Sequence, residues 1–169
     1  MNHHAHSDNE LALLAVRAGA ALLAQQLRVA TAESCTGGYV AKLLTDIPGS
    51  SGWFDCGFVT YSNEAKQREL GVSAETLALH GAVSEATVIE MAVGALAASG
   101  VQVALAISGV AGPDGGTAAH PVGDVWFGRA MVRPDHSVGA VSVHRRFAGD
   151  RDAVRRQAAA YALEMLQEV

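Results

Sequence analysis

The sequence predicts an α/β fold: a single three-layer α/β/α domain on a mixed, mostly parallel sheet, with a C-terminal antiparallel hairpin. Three observations carry this reading. Segments with a helical period alternate along the chain with short apolar or β-branched runs, the order that builds a layered α/β domain. Val101 to Ile107 is a nearly unbroken apolar run, which in such an alternation reads as a central strand buried on both faces. Asp124 to Val132 and Ser137 to Phe147 read as two strands, and the short link Arg133-Pro134-Asp135-His136 makes them an antiparallel hairpin.

In chain order, residues 1–8 read as a flexible tail, where His3, His4 and His6 have no fixed-spacing metal partner, and residues 9–169 as one domain. Ser7-Asp8-Asn9-Glu10 has the form of a capping box, and Leu11, Leu14, Ala18 and Leu22 continue it as a helical face ending before Arg28. A buried strand then ends near Glu33, and the spacing of Tyr39, Val40, Leu43 and Leu44 predicts a helix starting near Thr36. The turn formers Asp46 to Gly52 make a loop. Trp53 to Tyr61 reads as a strand with Phe54, Cys56, Phe58 and Thr60 on one face. Short helices follow at Ala65 to Leu70 and Ser73 to Leu79. Ser84-Glu85 opens a longer one that stops at Gly100, with Val88, Met91, Ala92, Ala95 and Leu96 inward. Gly149-Asp150 caps a last helix from Arg151 to Gln167, with Val154, Ala158, Tyr161, Ala162 and Met165 on its core face and Arg151, Arg155 and Arg156 off it.

Composition narrows the function. The 169 residues are 50% hydrophobic and 17% charged, enough to bury a core without staples and to leave apolar surface for copies of the same chain. A homodimer or larger homo-oligomer is expected. The net charge of −5 argues against nucleic acid, whose phosphates are gripped by an excess of lysine and arginine. No membrane-length apolar stretch appears. Two cysteines, Cys35 and Cys56, make no disulfide framework and no secretory leader precedes the first helix, so the cytoplasm is the expected compartment.

Three loops follow strand ends and share polar or glycine-rich character: Ser34 to Gly38, Tyr61 to Lys66, and Ser108 to Gly116. In open α/β sheets that edge holds the ligand crevice. Ser34, at a strand-to-helix turn, is either a helix cap or a nucleophile. The helix start beside it offers N–H groups to a phosphate, a carboxylate or an oxyanion. Lys66 is either a solvated helix lysine or a base whose pKa is lowered by burial. The glycines after Ser108 match neither common nucleotide loop, and serve either an anion or only a tight turn. Cys35 and Cys56 read as small buried hydrophobes, and no metal-ligand spacing is present.

Taken together, Ala32-Glu33-Ser34-Cys35-Thr36-Gly37-Gly38, Thr60-Tyr61-Ser62-Asn63-Glu64-Ala65-Lys66, Ser108 to Gly116 with Pro121-Val122-Gly123, and Gly149-Asp150-Arg151 resemble the CinA C-terminal domain family, in its order and over nearly the whole chain. The resemblance implies a stand-alone amidohydrolase that converts nicotinamide mononucleotide to nicotinate mononucleotide and ammonia in pyridine-nucleotide salvage, without a cofactor or metal. It implies Ser34 as nucleophile, Lys66 as general base and Tyr61 as proton-relay partner. Thr36, Gly37, Gly38, Ser51, Ser108, Gly115 and Gly116 would line the substrate site, and Arg151 would answer an anionic group. The third motif usually begins with threonine, so Ser108 is a departure that keeps the hydroxyl and loses a methyl. The rival class is a non-catalytic nucleotide-binding or regulatory module built on the same loops.

Overall fold

In the computed structural model, which describes residues 5–169, the chain begins with helix α1 (Asp8–Ala24). Its capping box forms as the sequence predicts: the Ser7 side chain accepts from the Glu10 N–H, and the Glu10 carboxylate accepts from the Ser7 N–H. Residues 6–8 of the expected tail are therefore engaged, since Arg156 also donates to the His6 carbonyl and pairs with Asp8. His3 and His4 lie outside the described residues.

The chain continues as strand β1 (Val29–Glu33), helix α2 (Tyr39–Thr45), a 3-10 turn at Ser50–Gly52, and strand β2 (Phe54–Val59). Helices α3 (Asn63–Leu70), α4 (Ala74–His80) and α5 (Glu85–Ser99) lead to strands β3 (Val103–Gly109), β4 (Asp124–Val132) and β5 (Val138–Arg146), then helix α6 (Arg151–Met165). The sheet order is β2-β1-β3-β4-β5. Strand β1 pairs in parallel with β2 and β3, and β4 pairs antiparallel with β3 and β5. The sheet is mixed, β4 alone runs against the other strands, and the last two strands form the hairpin.

Side-chain alternation along the strands splits the core in two. Val29, Val103, Leu105, Ile107, Val125 and Phe127 pack with α1, α2 and α6, while Ala30, Ala32, Ala104, Ala106 and Ala130 pack with α5 and its neighbours. Methyl groups on the second face let α5 lie close to the sheet. A Cβ on Gly128 would fall 2.4 Å from the Val88 carbonyl oxygen, so glycine is required there.

Two local features depart from the sequence reading. Alternation places Phe54 on one face with Cys56 and Phe58, but it packs with the first cluster and they pack with the second. The cause is a bulge: Val29 pairs with Phe54 and Ala30 with Cys56, leaving Asp55 as an extra residue that turns the strand. Helix α2 starts at Tyr39 rather than near Thr36, because Gly37 (φ 60°) and Gly38 (φ 92°) both take left-handed backbone first. The chain thus makes a full turn through Ser34 to Gly38 at the carboxyl edge of the sheet.

Candidate active site

Adjacent residues of a strand point to opposite faces, and at the end of β1 this separates two tasks. Ser34 follows Ala30 and Ala32 toward the α3 and α5 side, where Lys66 of α3 meets it. The Lys66 Nζ donates to Ser34 Oγ at 3.0 Å, to the Thr60 carbonyl at 2.8 Å and to the Tyr61 carbonyl at 3.3 Å. Lys66 is 1% exposed, and burial lowers its pKa from 10.5 to about 8. Ser62 caps α3 through the Ala65 N–H, which fixes the helix turn that carries Lys66. The Ser34 N–H donates to the Ile107 carbonyl at 2.9 Å, extending the β1–β3 ladder by one residue and anchoring the serine to the central strand.

On the opposite face, Glu33 fills the start of α2. Its carboxylate accepts from Thr36 Oγ1 at 2.7 Å and from the N–H groups of Gly38, Val40 and Ala41 at 3.1, 3.0 and 2.8 Å. The sequence offers this helix start to an anion from a ligand; the chain supplies that anion itself. Gly37 N–H donates to the Ser34 carbonyl and Tyr39 N–H to the Thr36 carbonyl. Among the described residues no oxygen accepts from the Cys35 or Thr36 N–H.

The other expected site residues divide. The Tyr61 hydroxyl lies on Arg151, whose guanidinium donates to it at 3.1 Å and to the Gly112 carbonyl at 2.8 Å. No hydrogen bond joins that hydroxyl to Ser34 or Lys66 among the described residues, and the expected relay through Tyr61 has no hydrogen-bond path in this arrangement. A cleft of about 530 Å³ opens beside Arg151, between Ala111, Pro113, Val122 and residues 149–152. It falls within the usual size of a small-molecule site, and Arg151 joins it to the Tyr61 hydroxyl. Another cavity, of about 250 Å³, lies beside Arg133 and Val141 at the hairpin end of β4, away from these groups.

Thr36 is fully buried, its hydroxyl committed to Glu33. Gly37 and Gly38 are at the turn and supply its backbone angles. Ser108 is 1% exposed, and its hydroxyl donates to the Ala82 carbonyl at 2.7 Å, so it ties β3 to the segment before α5 rather than facing an open crevice. Gly115 and Gly116 lie in an exposed loop; Gly115 needs left-handed backbone, and a Cβ on Gly116 would meet the Val122 nitrogen at 2.9 Å. Ser51 lies apart from the Ser34–Lys66 pair. It precedes β2, and the carbonyl of Trp53, just before that strand, accepts from the Val29 N–H at the start of β1, so Ser51 sits at the amino edge of the sheet. Five residues of strand, roughly 17 Å, separate that edge from Ser34.

Cys35 is buried and desolvation pushes its thiol up to about 12, which removes it as a nucleophile. Among the described residues no group of three or more His, Cys, Asp or Glu side chains is placed to hold a metal, and no helix is long and apolar enough to cross a membrane.

The model of the CinA C-terminal domain matches residues 12–169. The chain belongs to that family. A nicotinamide-nucleotide amidohydrolase PncC of Escherichia coli strain K12 is 58% identical over 160 residues, covering 95% of this chain and 94% of that one. Its counterpart from Pseudomonas putida is 50% identical, covering 92% and 94%. A solved CinA superfamily protein from Klebsiella pneumoniae superimposes with a TM-score of 0.86 at 44% identity, over 94% of this chain and 96% of that one.

Within this CinA C-terminal domain, two residues beside the site have no role in the sequence reading. Glu33 is one; its signal is an acid one residue before the serine at the end of a strand, ahead of a helix with no acid in its own first turn. Arg155 is the other. It lies one helical turn after Arg151, donates to the Thr36 carbonyl at 2.9 Å, and packs over the Tyr39 ring at 5.9 Å.

Proposed function

We propose that this chain is an amidohydrolase that converts nicotinamide mononucleotide to nicotinate mononucleotide and ammonia through a serine acyl-enzyme, in pyridine-nucleotide salvage. Relatives that match it over nearly their full length carry nicotinamide-nucleotide amidohydrolase in their names. The observation that carries the mechanism is the 3.0 Å contact between Lys66 Nζ and Ser34 Oγ in a buried setting.

A neutral lysine has two N–H bonds and one lone pair. With the Thr60 and Tyr61 carbonyls taking the two protons, the lone pair faces the Ser34 hydroxyl, the geometry a general base needs. Ser34 Oγ attacks the carboxamide carbon as its proton passes to Lys66. The carbonyl oxygen becomes an oxyanion held by the Cys35 and Thr36 N–H groups. Collapse breaks the C–N bond, and Lys66 returns the proton to the departing nitrogen, which leaves as ammonia. Water, deprotonated by Lys66, then cleaves the acyl-enzyme and restores Ser34. No step calls on a metal or organic cofactor. The Arg151 guanidinium, with the Tyr61 hydroxyl, takes the anionic end of the substrate.

The rival reading, a module that only holds a nucleotide, would need Lys66 as an exposed cation, and its 1% exposure speaks against that. The reading extends to a homodimer or larger assembly in the cytoplasm, for which Leu13, Val16 and Leu23 along α1 supply exposed apolar surface. The test is ammonia release from nicotinamide mononucleotide, free nicotinamide and glutamine. Release from the mononucleotide alone, lost in Ser34→Ala, supports the proposal; equal release by Ser34→Ala overturns the acyl-enzyme, and binding without release favours the module.

A further inference from the structure

We infer that Glu33 is a positioning residue of this hydrolysis: its carboxylate sets the nucleophile turn and its main chain sets the base. The inference rests on the reading of Ser34 as nucleophile. Glu33 is 1% exposed and accepts four hydrogen bonds through its two carboxylate oxygens. Helix α2 has no side-chain cap of its own, since its N-cap is Gly38. Glu33 acts as the cap from outside the helix, and the Thr36 hydroxyl joins the middle of the turn to the same oxygen. The stretch holding the Cys35 and Thr36 N–H groups is thereby fixed at both ends, by the β1–β3 ladder on one side and by Glu33 on the other.

The main chain of the same residue reaches the base. The Glu33 carbonyl accepts from the Thr60 N–H at 3.0 Å, and the Thr60 carbonyl accepts from Lys66 Nζ at 2.8 Å. One residue thus links the turn that presents the hydroxyl to the carbonyl that aims the amine. The arrangement also denies the α2 N-terminus to the anionic end of the substrate, which leaves Arg151 and the neighbouring cleft for it. A carboxylate at a helix start is a common stabilising device; here the same contacts set the geometry of the reacting groups, where a displacement of about 1 Å costs roughly 10²-fold in rate.

The experiment compares wild type with Glu33→Gln. Glutamine keeps the shape but places an amide donor among donors. We expect a folded protein whose kcat for ammonia release from nicotinamide mononucleotide falls by about 10²-fold while KM moves less than about threefold. A purely structural role predicts a lower melting temperature with kcat per folded molecule unchanged, and that result overturns the inference. If Glu33→Gln does not fold, Thr36→Val decides: it removes one of the four donors and leaves the carboxylate in place. A kcat lowered about tenfold at constant KM supports the inference, and an unchanged kcat overturns it. If wild type releases no ammonia, the proposed activity fails on its own, and the rate at which a fluorophosphonate labels Ser34 becomes the readout. Slower labelling of Glu33→Gln sustains the positioning role; equal labelling, or none in either protein, ends it.

Discussion

Lys66 Nζ stands 3.0 Å from Ser34 Oγ across 32 positions of sequence, and both side chains are buried. Parallel pairing of β1 with β2 brings the two strand ends side by side, and the helix after β2 folds back so that its first turn faces the end of β1. The pair is therefore a product of topology, and its chemistry can be tested residue by residue.

Removing either partner should abolish turnover. Ser34→Ala and Lys66→Met are each expected to lower kcat by at least about 10³-fold, and the double variant by no more than the worse single, because the two act as one unit. Steady-state ammonia release on all three proteins, with circular dichroism to confirm folding, checks this. Additive losses would mean that the two groups act independently.

The pH dependence follows from the lysine. With its pKa lowered to about 8, the neutral fraction, and with it kcat/KM, should rise about tenfold per pH unit below 8 and level off above it. Stability has a definite sign as well. Between about pH 8 and 10.5 the unfolded chain holds the Lys66 proton and the folded chain does not, so this group makes the fold more stable as pH rises through that window. Below pH 8 both states are protonated and the cost of burying the charge is constant. Denaturant titrations at several pH values should show this rise in wild type and its absence in Lys66→Met.

Tyr61→Phe separates two roles for the phenol. Its hydroxyl accepts from Arg151 and has no link to Lys66 or Ser34 among the described residues. The expected result is turnover within about threefold of wild type and a KM raised several-fold, because Arg151 loses one of its two anchors and truncating one partner of a charge-assisted contact weakens binding. If turnover instead drops by about a hundredfold or more while KM stays constant, the relay is restored. Arg151→Lys should raise KM further, since a lysine cannot reproduce the two-pronged contact with Tyr61 and Gly112.

Much of this architecture is legible in the sequence because it rests on local rules. The capping box at Ser7, the apolar run to Ile107 and the turn residues before Ser137 each specify their element without help from the rest of the chain. The meeting of Ser34 with Lys66 needs the parallel register, which periodicity alone does not supply. Ser51 lies away from Ser34 for a topological reason: a helix that returns the chain to a parallel strand delivers its final loop to the amino edge of the sheet, opposite the serine. Ser108 meets a carbonyl from Ala82, a contact that no spacing rule encodes. Glu33 is readable in principle, since alternation turns it away from Ser34 and toward the helix that follows, but its strand-end position disguises it as part of the motif.

The base also depends on a contact far from the chemistry. Lys66 rides on α3, and the Leu70 carbonyl at the end of that helix packs against Gly94 of α5. A Cβ at position 94 would fall 1.9 Å from that oxygen, a distance only movement of α3 can relieve. Alanine normally gains about 1 kcal/mol over glycine within a helix, but overpacking against backbone typically costs about 1–3 kcal/mol, and at this separation the clash dominates. Gly94→Ala is expected to lose about 1–2 kcal/mol of stability and several-fold in kcat, as α3 carries the amine away from Ser34. Gly52→Ala is the control: nothing lies within 4 Å of its added methyl, and its stability should stay within about 0.5 kcal/mol of wild type. Urea denaturation and ammonia release on the two variants settle the matter, and a Gly94→Ala protein as stable and active as wild type would show that α3 is not held in place from this side.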